Sequence, residues 1–130
     1  MNINMFSQGT ILVIENNEPT AYLLDFLLSR EGYKVISITS DEQLHNYLLL
    51  NPPQLIILNS RLSYQCGNQL IDACRAKASW QKIPILMLST DYISDEISSA
   101  LSAGATDYIV QPFQHAELIG QVGRHVHSLQ

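Results

Sequence analysis

Short apolar runs alternate with helical patterns along the whole chain. The first run, TILVIE (Thr10 to Glu15), is rich in β-branched residues and is followed by NNEP. Leucines at 24, 27 and 28 then mark one face of a helix, with Pro19 suited to its first turn and Gly32 to its end. KVISIT (Lys34 to Thr39) reads as a second strand. Ser40 and Gln43 have the spacing of a capping box, which opens a helix with Leu44, Tyr47 and Leu48 inward. Pro52 and Pro53 stop that helix before the run LIIL, which ends on Asn59. A third helix is expected over about Asn68 to Ala78, with Leu70, Ile71 and Cys74 on its apolar face. IPILMLS (Ile83 to Ser89) reads as strand four. A helix through Ile97, Ala100 and Leu101 ends near Gly104, DYIVQPF (Asp107 to Phe113) holds strand five, and a last helix carries Leu118, Ile119, Val122 and Val126.

This is a strand–helix unit repeated five times. The strands are apolar along their length rather than alternating, as in a parallel sheet covered by helices on both faces. Short connections and right-handed crossovers point to a flavodoxin-like (βα)5 fold, doubly wound, with strand order 2-1-3-4-5. No linker or repeat divides the chain, so residues 1–130 read as one domain with a core over about 10–127. In such a sheet the working residues lie at the carboxyl ends of the strands, beside the switch between strands one and three. Those residues are Glu15 and Asn16, Asn59, Ser89 and Thr90, and Gln111 before Pro112.

Composition narrows the function. A chain of 130 residues that is 46% hydrophobic and 15% charged buries a proper core and is not disordered. A net charge of −5 without any Lys/Arg run gives no support to nucleic-acid binding. The N-terminus, MNINMFSQGT, has neither a charged nor an apolar signal region, and no apolar run approaches the roughly 20 residues of a membrane helix. A cytoplasmic location is expected, with Cys66 and Cys74 reduced: one a loop thiol, the other a helix-face thiol.

At the strand ends the sequence resembles the receiver domains of two-component response regulators. The likeness spans roughly Thr10 to His127, through ILVIENNEP, PQLIILNSRL, IPILMLST and AGATDYIVQPF in that order. The resemblance implies a bacterial signalling module in which two acids on strand one help bind Mg²⁺. An Asp ending strand three accepts a phosphoryl group, a Ser or Thr on strand four contacts it, and a Lys on strand five pairs with it. By position those sites are Glu15 with Asn16, then Asn59, Ser89 and Gln111. Only Ser89 keeps the family's chemistry; Glu15 keeps a charge, and Asn16, Asn59 and Gln111 are neutral amides.

An aspartyl phosphate needs a carboxylate nucleophile, which Asn59 lacks. Mg²⁺ favours carboxylate oxygen, so its binding is expected to be lost, leaving no cofactor. The cation has gone together with two of three anions, so no unpaired lysine remains in a partly buried pocket, and the amides and Ser89 are expected to satisfy one another. The expected role is a non-enzymatic pseudo-receiver that binds proteins within a phosphorelay. Tyr108 matches the family's switch aromatic; a half-buried ring on a strand would explain it equally well. The partner face implied by the resemblance is helix four, strand five and helix five, with Asp95, Ser99, Gln114, Glu117, Gln121 and Arg124 toward solvent. Its partner is a second copy of the chain or another signalling protein. Gly120 and Gly123, each costing about 1 kcal/mol against Ala in a helix, signal either a weak helix or the close approach of another backbone.

Two rival readings compete with this one. A flavodoxin-like ligand or nucleotide binder would use the same cleft, but IENNEPT has no Gly-rich phosphate cradle. The other keeps the family role, with phosphorylation on a neighbouring Asp or Ser; Ser60 and Ser63 are nearby, but a serine is a poor acceptor from phosphohistidine. His45 and His115 read as surface residues and Trp80 as a loop anchor. His125 and His127, two apart and so on different helix faces, are explained by the helix C-terminus.

Overall fold

Why the central strands are apolar through their middle is plain from where their side chains go. The computed structural model describes residues 9–59, 67–90 and 94–127. Strands β1 (Gly9–Ile14), β2 (Tyr33–Ile38), β3 (Leu55–Asn59), β4 (Ile85–Ser89) and β5 (Asp107–Val110) alternate with helices α1 (Glu18–Arg30), α2 (Asp41–Tyr47), α3 (Gly67–Ala76), α4 (Ser94–Ala103) and α5 (His115–His127). Every strand pairing is parallel, in the order β2-β1-β3-β4-β5, as the crossover rules led us to expect. Alternate residues of the central strands feed two cores. Leu12, Ile14, Ile56, Leu58, Ile85 and Met87 pack with residues of α2, α3 and α4. Ile11, Val13, Leu55, Ile57, Leu86 and Leu88 pack with α1 and α5. The edge strands β2 and β5 depart from this pattern and leave several residues partly or fully exposed.

Local chemistry sets the helix ends. Asn17 caps α1, its Oδ1 accepting from Thr20 N (3.0 Å) and Thr20 Oγ1 (2.9 Å). Gly32, at a φ of +93°, turns the chain from α1 into β2, a conformation that costs other residues a Cβ clash. At α2, Ser40 Oγ accepts from Gln43 N, while Gln43 Oε1 accepts from Thr39 N at 2.7 Å. The reciprocal cap therefore forms, with its return bond one residue earlier than the motif implies.

The expected third helix is too long and the reading of Trp80 is wrong. α3 ends at Ala76, and Ala78–Trp80 form a short 3-10 turn. Trp80 is fully buried, edge-on to Tyr47 with ring centroids 5.8 Å apart, so it is a core residue and not a loop anchor. What shapes this corner is Arg75. Its Nη1 donates to the carbonyls of Trp80, Gln81 and Ile83 at 2.7–3.1 Å. Its Nε and Nη2 donate to the Gly104 carbonyl at the turn between α4 and β5. One guanidinium thus joins the approach to β4 with the approach to β5, using the planar fork that lysine lacks. Arg75→Met should cost about 2–3 kcal/mol, because several carbonyls lose a charged donor, and should lower the urea midpoint. Arg75→Lys should recover little of the loss. An unchanged midpoint in Arg75→Met would show that those carbonyls find other donors at no cost.

Candidate functional site

Parallel strands all end at one edge of the sheet, so the strand-final residues converge there. α1 leaves β1 to cover one face and α3 follows β3 on the other, which opens a crevice between the two strand ends. Glu15 continues β1 and is only 1% exposed. Asn59 is the last residue of β3, and its Nδ2 donates to Glu15 Oε2 at 2.6 Å. Glu15 Oε1 accepts from the Asn17 backbone N–H at 3.0 Å. Because Asn17 is also the α1 cap, the carboxylate lies at the positive end of that helix.

Ser89 ends β4 and is buried, and the Gln111 N–H donates to the Ser89 carbonyl at 2.7 Å across the sheet. The peptide between Gln111 and Pro112 is cis. The structure therefore gathers Glu15, Asn16, Asn59, Ser89 and Gln111 at the strand ends, as the topology implied. One expectation needs amending. The Asn59 amide does not serve only its neutral neighbours; it donates to Glu15, the one charged member of the set. Ser60, Ser63 and Cys66 lie outside the described residues.

Tyr108, on β5, is 38% exposed and half covers a small apolar crevice with Met87, Ala100 and Leu101. That crevice has a volume of about 10 Å³, room for a single water and not for a phenol ring. Of the residues assigned to the partner face, Ser99, Gln114, Glu117, Gly120 and Arg124 are exposed and Gly123 is partly so. The side chain of Asp95 lies outside the described set. Gln121 is not the solvent-facing residue expected: it is partly buried, and its Oε1 has no hydrogen-bond partner among the described residues. It lines a groove of about 420 Å³ with Asp107, Tyr108, Glu117 and Arg124. A Cβ added at Gly120 or Gly123 would meet nothing within 4 Å, so among the described residues no backbone presses on either glycine.

His125 also needs correcting. Its Nε2 lies 3.0 Å from Asp107 Oδ2, which Arg124 approaches at 3.5 Å, so a carboxylate on β5 and not the helix terminus alone accounts for it. Sequence reasoning gave Asp107 no role, because its partners are far along the chain and only the α5–β5 packing brings them together. His45 and His115 are exposed, as expected. Cys74 is buried, and burial pushes its thiol up to about 11 despite the neighbouring Arg75, so it is not a thiolate nucleophile at neutral pH. Among the described residues, no three His, Cys, Asp or Glu side chains are grouped so as to hold a metal ion, and no helix is long and apolar enough to cross a membrane.

The chain is similar to known proteins over most of its length. The family described as the response regulator receiver domain matches residues 11–123. The phosphate regulon transcriptional regulatory protein PhoB of Rhizobium meliloti is 32% identical over 112 residues, covering 86% of this chain and 49% of that protein. The transcriptional regulatory protein KdpE of Staphylococcus aureus is 31% identical over 115 residues, covering 88% and 48%. The chain thus spans about half the length of the curated relatives it matches. Among solved structures, a putative response regulator from Chloroflexus aurantiacus superposes with a TM-score of 0.85 at 29% identity, covering 92% of this chain and 98% of that one. With its (βα)5 order and its strand-end cluster, the chain belongs to the response regulator receiver domains of two-component signalling.

Proposed function

We propose that this receiver is not phosphorylated and works as a protein-interaction module within a phosphorelay, without enzymatic activity. The observation that carries the reading is the end of β3, where an amide stands and turns its nitrogen to Glu15. An amide nitrogen has its lone pair delocalised into the carbonyl, and an amide oxygen is a far weaker nucleophile than a carboxylate, so no acyl phosphate forms there. The surrounding groups support this. Gln111 supplies no ammonium for the charge that develops on a transferring phosphoryl group. Asn16 and Asn59 supply no carboxylate for Mg²⁺, a hard ion that dehydrates reluctantly.

A receiver that cannot take phosphate has lost the ligand whose differential affinity would bias its two states. Partner choice then rests on a surface that is permanently set or is biased by the partner. We assign that role to the face of α4, β5 and α5, where the groove beside Gln121 and the open side of α5 at Gly120 and Gly123 offer a place to dock. The partner is a second copy of the chain or another signalling protein.

Incubation with acetyl phosphate and Mg²⁺ should leave the intact mass unchanged. Asn59→Asp alone should also stay unlabelled, since Asn16 leaves a metal short of ligands and Gln111 provides no cation. A gain of one phosphoryl group by the native protein would overturn the reading, and efficient labelling of the single variant would place the pocket nearer to competence than proposed.

Substitutions on α5 test the surface. Gly123→Ala should raise stability by up to about 1 kcal/mol, since helix propensity improves and the Cβ meets open space. Gly120→Tyr should weaken association, measured by sedimentation velocity and pull-down, while the monomer stays folded. Unchanged association would rule out this face.

A further inference from the structure

Glu15 presents a problem that the fold must solve whatever the partner is. A carboxylate that is 1% exposed has lost its water and is costly to keep unless N–H or O–H donors replace that water. Here each oxygen has one: Asn59 Nδ2 on Oε2 and the Asn17 N–H on Oε1. The orientation of the Asn59 amide is fixed by its partner, because a carboxylate only accepts and the NH₂ end must therefore face it. In a cation site the arrangement would be reversed. Carboxylate oxygens would point at the ion, and a neighbouring asparagine would offer its carbonyl oxygen to the same ion, with its nitrogen turned away. The donor set seen here does not fit a divalent cation, since both groups that meet the Glu15 oxygens are N–H donors and neither is an oxygen ligand.

We infer that Asn59 stands in for a cation. Its amide supplies the positive partner that Glu15 requires, and the pair locks together the carboxyl end of β1, the carboxyl end of β3 and, through Asn17, the start of α1. The lock makes the geometry of this edge independent of divalent metal. It rests on reading the strand-end cluster as a site without phosphoryl chemistry, but its own claim concerns one hydrogen bond and is tested separately.

The test exchanges donor and acceptor. Asn59→Asp sets two carboxyl groups at hydrogen-bond distance, where they cannot both be ionised cheaply and one is held protonated to a higher pH than usual. A carboxyl whose pKa is raised by folding adds stability below its unfolded pKa, and that stability is lost as pH rises through the folded value. The melting temperature of Asn59→Asp should therefore come nearest to that of the native protein at about pH 4, close to the unfolded carboxyl value, and fall below it by about 5 °C or more under mildly alkaline conditions. The double variant Glu15→Gln/Asn59→Asp should melt close to the native protein at both. There the two groups have only changed places: the amide introduced on β1 donates to the carboxylate introduced on β3, while its carbonyl still accepts the Asn17 N–H.

If Asn59→Asp does not fold at any pH, the double variant decides: a folded, native-like double variant upholds the lock, and an unfolded one removes it. An Asn59→Asp variant that tracks the native melting curve at both conditions also removes it, as does a double variant no better than the single one. These outcomes are independent of labelling. Phosphoryl uptake by the native protein would overturn the proposed function and leave the exchange result standing, and a failed exchange would leave the labelling result standing.

Discussion

A carboxylate at the buried end of a parallel strand must be answered by something positive or by hydrogen-bond donors, and much at this edge of the molecule follows from how Glu15 is answered. The parallel order places β3 beside β1, so the position that ends β3 lies next to Glu15. With Asn59 there, the answer is an amide N–H at 2.6 Å, reinforced by the Asn17 N–H at the cap of α1. A second carboxylate in that place would demand a shared proton or a bound cation. The identity of one side chain thus decides whether the site needs an ion, and we have proposed that this chain does without one.

The rest of the fold supplies a rigid frame for that contact. The central strands are buried on both faces and feed two separate cores, so a shift of register would move apolar side chains from one core to the other. Arg75 ties the approach to β4 to the turn before β5, and Asp107 ties the start of β5 to His125 on α5. Each bridge ends near the face of α4, β5 and α5. A surface held from behind in this way suits a partner that finds it already formed, which agrees with our proposal that the phosphate switch has been given up.

Much of this was legible in the sequence, and the limits have physical causes. The apolar runs gave the strands because a parallel strand covered on both faces is apolar through its middle, and local signals such as Pro19, Ser40 and Gly32 marked the helix ends because capping acts within a few residues; the Asn17 cap was not among them. The strand-end cluster was legible once the topology was, and the resemblance to receivers rested on the same residues. What failed was contact between distant residues. Trp80 gave no sign of full burial, since its neighbours in sequence are polar and Tyr47 lies on another helix. Nothing local marked Gln121 as partly buried or joined Asp107 to His125. The neutrality of Asn59 was visible, but the direction of its amide was not, because that depends on Glu15 being buried against it.

The central claim is that Asn59, and not a divalent ion, holds Glu15. Titration of the ¹⁵N-labelled protein with Mg²⁺ into the millimolar range, following the side-chain NH₂ resonances of Asn59, tests it most directly. The account predicts that the two amide protons keep their positions and their separation throughout. A saturable movement of those resonances, with the Glu15 carboxyl carbon moving in step, would show that the ion displaces the amide and would contradict the account.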